Sequence, residues 1–384
     1  MTQRLAKFLM VAFAVLAATG AMAGTTSASD CGNRIFSSTL AAISQGRDGN
    51  WGLFAPGTVS VMTSLFAGAR GATRTEFESM VGCLDEKELL AWKARVQNYE
   101  RSGELKWAGN LWVDQQTPFA PSWLNFASDI LRAQPSRILF SDPSTFPVIE
   151  KWLIDRAGPM AKGMVTRQDL LAGRVVAAAV VHFQGKWQDR FDPATDGQFL
   201  TGAKTKVPVK FLSAERRLPV GTLYGTEFVA VPYGGGAALW LVSTKDLSAS
   251  RMLLAAIAKN GLDARSEVDR IRVTFPKWSL ESAYDLAAVW REKGLQSAFG
   301  SSADFSGMGS QRMRLGFLRA KLMMEVDEEG TRATQVDVGG MVAVSARVVR
   351  EFRFDRPFTW LIVDSRQGTP LLLAGGYIAN PSQK

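Results

Sequence analysis

The chain has 384 residues, of which 46% are hydrophobic, 21% charged and 10% aromatic, and its formal net charge is +9. That apolar fraction excludes wholesale disorder, and the length accommodates two domains or one large mixed domain. The chain holds one histidine and two cysteines. This excludes a histidine-rich metal centre, a zinc ribbon and a dense disulfide scaffold, and leaves His182 as the sole candidate for histidine acid–base catalysis.

Residues 1–23 have the pattern of a secretory signal. Arg4 and Lys7 give a positive start, Phe8 to Ala18 is an apolar run, and Ala21-Met22-Ala23 has the small-x-small form of a cleavage site. The apolar run is short for a bilayer span, so a soluble, exported product with no membrane contact after cleavage is expected. Export would be to the periplasm or the extracellular space. Cleavage would leave 361 residues and a net charge of +7. An oxidising compartment would favour a Cys31–Cys83 disulfide over two free thiols. Closing that loop contributes about 4 kcal/mol in the chain-entropy model. Basic residues such as Arg216, Arg217, Arg312, Arg314, Arg347, Arg350 and Arg353 are dispersed. Without a dense basic block and stacking aromatics, no nucleic-acid footprint is read.

In chain order, Asn33 to Ser44 has helical apolar spacing at Ile35, Leu40 and Ile43. Thr58 to Phe66 follows the turn signal Ala55-Pro56-Gly57 and predicts a second helix. Glu86 to Tyr99 and Pro121 to Leu131 predict two more, with an alternating strand at Leu105 to Val113 between them. Arg174 to Phe183 is a continuous apolar run, expected as a strand buried on both faces. Strands are then expected at Val207 to Leu212, Glu227 to Pro232, Ala237 to Ser243 and Arg270 to Phe275. The glycines of Tyr233-Gly234-Gly235-Gly236 predict a hairpin, because the lysine and helix start of a phosphate loop are missing. A helix at Tyr284 to Lys293 precedes strands at Leu315 to Val326, Phe352 to Phe354, Phe358 to Val363 and Leu371 to Ile378. No repeat of 20 to 50 residues recurs. The irregular mixture favours an α+β fold over a doubly wound sheet.

A long connection separates the strands ending at Val326 and starting at Phe352. Connections beyond about 15 residues are uncommon unless functional or disordered. Val336, Val338, Met341, Val342 and Val344 give this one strand propensity.

Motifs along the chain resemble those of one family. Phe54-Ala55-Pro56 with Ala67-Gly68-Ala69-Arg70-Gly71-Ala72-Thr73 is similar to its "FSP…LGAKGxT" pattern. Ala108-Gly109-Asn110-Leu111-Trp112-Val113 is similar to "ANxLFV", and His182-Phe183-Gln184-Gly185-Lys186-Trp187 to "YFKGxW". Phe275-Pro276-Lys277-Trp278 resembles "PKF", and Ala303-Asp304-Phe305-Ser306-Gly307-Met308 resembles "ADFSGM". Glu325-Val326-Asp327-Glu328-Glu329-Gly330-Thr331-Arg332-Ala333 and Asp355-Arg356-Pro357-Phe358 resemble "EVDEEGTEA" and "ADRPF". This ordered set resembles the serpins over essentially the whole mature length.

The resemblance implies one serpin domain over 24–384, with three mixed β-sheets, about nine helices and a reactive-centre loop at about 328–350. It implies a suicide inhibitor of serine or cysteine proteases. The loop offers a peptide bond, the protease forms an acyl-enzyme, and the cut loop enters the central sheet as a strand. The implied partner is a target protease held covalently by a monomer. No catalytic residue, metal or other cofactor is implied. Glu328, Gly330, Thr331 and Ala333 match the hinge, and glycine there permits the backbone change. The family's spacing points to Val344-Ser345 as the reactive bond, with Ala343, Ala346 and Arg347 as alternatives. A valine before the bond suits an elastase-like or other small apolar pocket. Glu328 is expected to pair with Lys277 beside Trp187, with marked destabilisation on loss of either partner.

Some positions depart from the family pattern. Gln335 and Asp337 stand where small residues are usual, and strand alternation would turn both inward with Thr331 and Ala333. Burying Asp337 unpaired is costly. This is the main argument for the alternative, a non-inhibitory serpin that acts as a binding or carrier protein or a plain protease substrate. Ala179 and Ala320 replace a usual Asn–His pair, and Ala55 and Thr58 stand at two serine positions. Between Cys83 and Leu105 the basic residues Lys87, Lys93, Arg95 and Arg101 form no clear heparin-type surface.

Overall fold

The computed structural model describes residues 30–330, 349–366 and 368–383. The signal-like segment and most of the long connection lie outside these. The first half of the chain carries α1 (Cys31–Gln45), β1 (Trp51–Phe54), α2 (Ala55–Phe66), α3 (Gly71–Val81), α4 (Glu86–Glu100), β2 (Leu105–Asp114), α5 (Pro121–Leu131), β3 (Pro135–Ile138), α6 (Thr145–Ala157), α7 (Arg167–Ala172) and β4 (Val175–Phe183). The second half carries β5 (Thr195–Leu200), β6 (Lys206–Leu223), β7 (Thr226–Pro232), β8 (Ala237–Val242), α8 (Leu247–Asn260), β9 (Ala264–Pro276), β10 (Trp278–Asp285), α9 (Leu286–Glu292), β11 (Arg319–Val326), β12 (Arg350–Arg353), β13 (Phe358–Asp364) and β14 (Leu371–Ile378).

Helix starts follow local chemistry. Asp30, Asp85, Asp246 and Asp285 each accept a hydrogen bond from the third residue on, which satisfies an otherwise orphaned amide. Thr166 and Asp169 cap each other reciprocally at α7. Proline opens α2 and α5, where its missing N–H costs nothing.

The strands form three sheets. Nine belong to one sheet, ordered β1-β14-β13-β8-β7-β6-β9-β12 with β5 also on β6. Three form β3-β2-β4, and two form β10-β11. The first two sheets are mixed, since β12 runs parallel to β9 and β3 parallel to β2. The two-stranded sheet is antiparallel. With nine α-helices among the described residues, this is the expected α+β architecture. One large core joins α1, α2, the fully buried β13 and β14, and the inner faces of the two smaller sheets. A second cluster, with Trp112, Phe140, Ile149, Leu153 and Val176, seals α6 onto the outer face of β2 and β4.

Three readings are corrected. The strand expected at Leu315 to Val326 is regular only from Arg319, since Leu315 bonds instead to the Ala298 carbonyl. The helix expected from Tyr284 begins at Leu286, because Tyr284 still pairs with Ala320 in the β10–β11 ladder. β4 is half-buried and its His182 is exposed, because one edge of the strand lines a cleft. The helices α3, α6, α7 and α8 and the strands β1, β3, β5 and β10 were not read from the sequence.

Candidate functional site

The chain leaving β11 reverses direction within four residues. Asp327 N–H donates to the Gly330 carbonyl at 2.9 Å. The Asp327 Oδ1 accepts from the amides of Glu329 and Gly330 at 2.9 and 3.2 Å. This is the local turn that an Asx side chain stabilises, so Asp327-x-x-Gly330 is a legible signal in the sequence. Gly330 has φ +148, and a β-carbon there would lie 2.1 Å from the Gly185 carbonyl oxygen. Only glycine fits this reversal. Having turned, Gly330 bridges Lys186 in antiparallel sense.

Trp187 anchors the turn. It is buried and stacks on Tyr233 at 4.7 Å, with Phe191 and Phe275 edge-on at 5.7 and 6.1 Å. Its indole N–H donates to the Asp327 carbonyl at 2.8 Å, and its amide donates to Glu329 at 2.9 Å. The amide of Phe191 donates to the Glu328 carbonyl at 3.1 Å. Lys277 Nζ meets Glu328 Oε2 at 2.6 Å, and the Ala194 amide donates to Oε1 at 3.2 Å. Partial burial pushes the Glu328 carboxyl up. The hydrogen bonds from Lys277 and from backbone amides, with the Lys277 charge, outweigh that and hold it below the usual carboxylate range. Arg190 pairs with Glu329. Thus the structure brings Lys277, Trp187, Glu328 and Gly330 together. Sequence reading missed Asp327, Arg190, Tyr233 and the Ala194 amide.

Below this turn lies a cleft of about 1370 Å³. β4 walls one side and β11 the other. β4 pairs with β2 and β11 with β10, and among the described residues their facing edges are not paired with each other. The floor is α2, through Gly57, Thr58, Val61 and Leu65, with Phe305 and Met308. Ala179, Ala320 and Thr58 line the cleft, so its middle is apolar, while Ala55 is buried beneath. Two unpaired strand edges side by side are a template for a further strand.

Cys31 and Cys83 form a disulfide with Cα atoms 5.3 Å apart. With Glu88 they are the one group among the described residues with metal-ligand spacing, and their sulfurs are already joined. The His182 ring lies 2.5 Å from the Arg156 carbonyl oxygen, tying β4 to the end of α6. Thr331, Ala333, Ala343, Val344, Ser345, Ala346 and Arg347 lie outside the described residues, as does the signal-like segment. No described helix is long and apolar enough to cross a membrane.

The family model "Serpin (serine protease inhibitor)" matches residues 32–381. A leukocyte elastase inhibitor of Bos taurus is 25% identical over 349 residues, covering 84% of this chain and 90% of that protein. Heparin cofactor 2 of Rattus norvegicus is 24% identical over 286 residues, covering 73% of this chain and 59% of the relative's length. Serpin48 of the insect Tenebrio molitor, described as a highly specific serpin, superposes with a TM-score of 0.72 at 21% identity, over 91% of this chain and 97% of that one. A family match over almost the whole described chain, on a fold with an unfilled strand position beside a glycine-hinged turn, makes this chain a member of the serpin family.

Proposed function

We propose that this protein is an exported suicide inhibitor of a serine protease, and that its loop enters the cleft between β4 and β11 after cleavage near Val344-Ser345. The observation that carries this reading is the reversal at Gly330, whose antiparallel bridge to Lys186, three residues past the end of β4, points the chain back toward the cleft. β4 and β11 lead to the same end of the cleft, so a strand returning from Gly330 runs antiparallel to both. It would supply the missing hydrogen bonds of both edges. The protease supplies the nucleophile, and this chain supplies the peptide bond and the strand. His182, engaged with the end of α6, is not part of that chemistry. Val344 before the bond suits an elastase-like pocket, and the partner would be a single protease held by a monomer.

The bridge also defines a register. Gly330 opposite Lys186 would set Thr331 opposite Gly185, Ala333 opposite Phe183, Gln335 opposite Val181 and Asp337 opposite Ala179. Directly opposed residues share a face. Phe183, Val181 and Ala179 face the main core, so Gln335 and Asp337 would too. This supports the second reading, in which the loop is cut without trapping the protease, because Asp337 would meet an apolar wall. Incubation with elastase-, chymotrypsin-, subtilisin- and trypsin-like proteases decides between them. A covalent complex on a denaturing gel supports inhibition. Clean cleavage with the protease still active supports the second reading.

A further inference from the structure

The lower end of the cleft differs in charge from its apolar middle. Arg174 precedes β4, Arg312 and Arg314 lie in the segment leading into β11, and Arg319 is the first residue of β11; all four line the cleft. Asp169 is the carboxylate on this end, and Arg319 holds it at 2.7 Å. The other lining carboxylates, Glu281 and Glu325, sit further up β10 and β11, opposite Met323 and Ser279. The remaining arginines have little compensation. Arg174 donates to the Gly173 carbonyl at 2.6 Å and Arg314 to the Phe299 carbonyl at 3.5 Å. Neutral carbonyls leave both positive charges standing. Arg312 has no hydrogen-bond or ion-pair partner among the described residues, and Arg312 and Arg314 are both exposed.

The register from Gly330 predicts what arrives there. It sets Met341 opposite Val175, the first residue of β4. Three residues remain before the expected cut, and at a strand rise of about 3.3 Å per residue they reach about 10 Å further. That carries Val344 past Arg174 to the level of Ala172. Hydrolysis of the Val344–Ser345 bond consumes one water and leaves a carboxylate on Val344 and an ammonium on Ser345.

We propose that Arg174, Arg312 and Arg314 form a carboxylate-binding site at the base of the cleft, and that its ligand is the new C-terminus of the cleaved loop at Val344. The proposal rests on the strand-insertion reading above. Guanidinium forks suit a carboxylate, and charge-assisted bonds are stronger than the carbonyl contacts they would replace. The site recognises the hydrolysed end and not the ester of an acyl-enzyme, so it favours the cleaved, released product. It also selects the length of the inserted strand, since a cut two or three residues away would set the carboxylate at another level.

The test uses the full chain and a synthetic peptide of residues 331–344, made with a free C-terminal carboxylate or a C-terminal amide. Binding is read by thermal shift and by competition against a labelled copy. The free acid is expected to bind about fivefold more tightly than the amide, as one or two partly solvated charge-assisted contacts allow. The preference should fade at high salt and vanish in an Arg312→Gln/Arg314→Gln double variant. Both arginines are exposed, so that variant should melt like the wild type. Equal affinity of acid and amide for the wild type would overturn the carboxylate site while leaving the strand site intact. A preference that persists in the double variant would also overturn it. Failure of both peptides to bind would instead overturn the insertion reading, and this proposal with it.

Discussion

Replacing Lys277 by Ala removes the cation that faces Glu328 and tests what holds the loop's starting point. The pair is separated by 2.6 Å, with the side chains 34% and 22% exposed. That exposure rules out the 3–5 kcal/mol penalty of a fully buried broken pair. Glu328 would retain the Ala194 amide and reach water for its other oxygen. A charge-assisted bond screened to this extent contributes about 1–2 kcal/mol, less than the marked loss expected from the sequence. For a chain of this size that corresponds to a fall in Tm of about 1.5–3 °C. The pH dependence supplies a sharper criterion. Glu328 is depressed in the folded state, so its contribution is full above the unfolded carboxylate pKa of about 4.5 and is lost as pH falls through the folded value. The wild-type and Lys277→Ala melting curves should therefore differ at pH 7 and converge near pH 3. Lys277→Met, which keeps most of the stem, should match Lys277→Ala. An unchanged Tm at pH 7, or a gap that persists at pH 3, would refute the ion pair as the cause.

Gly330→Ala should distort the reversal, because its β-carbon would fall 2.1 Å from the Gly185 carbonyl oxygen; stopped-flow or gel assays with a trapped protease should show more cleavage and less complex. Asp337→Ala removes the carboxylate that insertion would bury, so the ratio of covalent complex to cleaved product should rise; an unchanged ratio would mean that Asp337 does not limit insertion. Reducing the Cys31–Cys83 bridge, or replacing both residues by Ser, frees a loop spanning 52 positions and should cost about 4 kcal/mol in the chain-entropy model, read as a lower midpoint in denaturant. Burial raises the Asp169 carboxyl, but hydrogen bonds from Arg319 and Thr166 prevail and leave it depressed. Arg319→Met should therefore lower Tm at pH 7 by an amount that disappears as pH falls below the range in which Asp169 is ionised.

Several parts of the fold were legible because their causes are local. The helix carrying Ile35, Leu40 and Ile43, the strand at Leu105–Val113 and the turn at Tyr233–Gly236 each appear in the structure near their expected limits. α6 was not legible. Its apolar residues pack into a small separate cluster, and Pro147 and the exposed Val148 blur the periodicity. β10 was hidden for another reason. Trp278, Leu280, Ser282 and Tyr284 do alternate inward, but the run passes directly into the helix that follows and its last residues were assigned to that helix.

By itself the sequence carried the family pattern, since that depends on residue type and spacing, and through that resemblance it pointed to Gly330 and to the pairing of Lys277 with Glu328. It did not determine the cleft. β4 and β11 lie more than a hundred residues apart in the chain, and whether their edges pair is settled by how α2 and the two smaller sheets pack, not by either strand's own propensity. The same packing left the pair at Lys277 partly exposed and set Arg174, Arg312 and Arg314 along the lining of the cleft. Arg312 and Arg314 looked merely dispersed in sequence, because charge density is a property of surfaces in space.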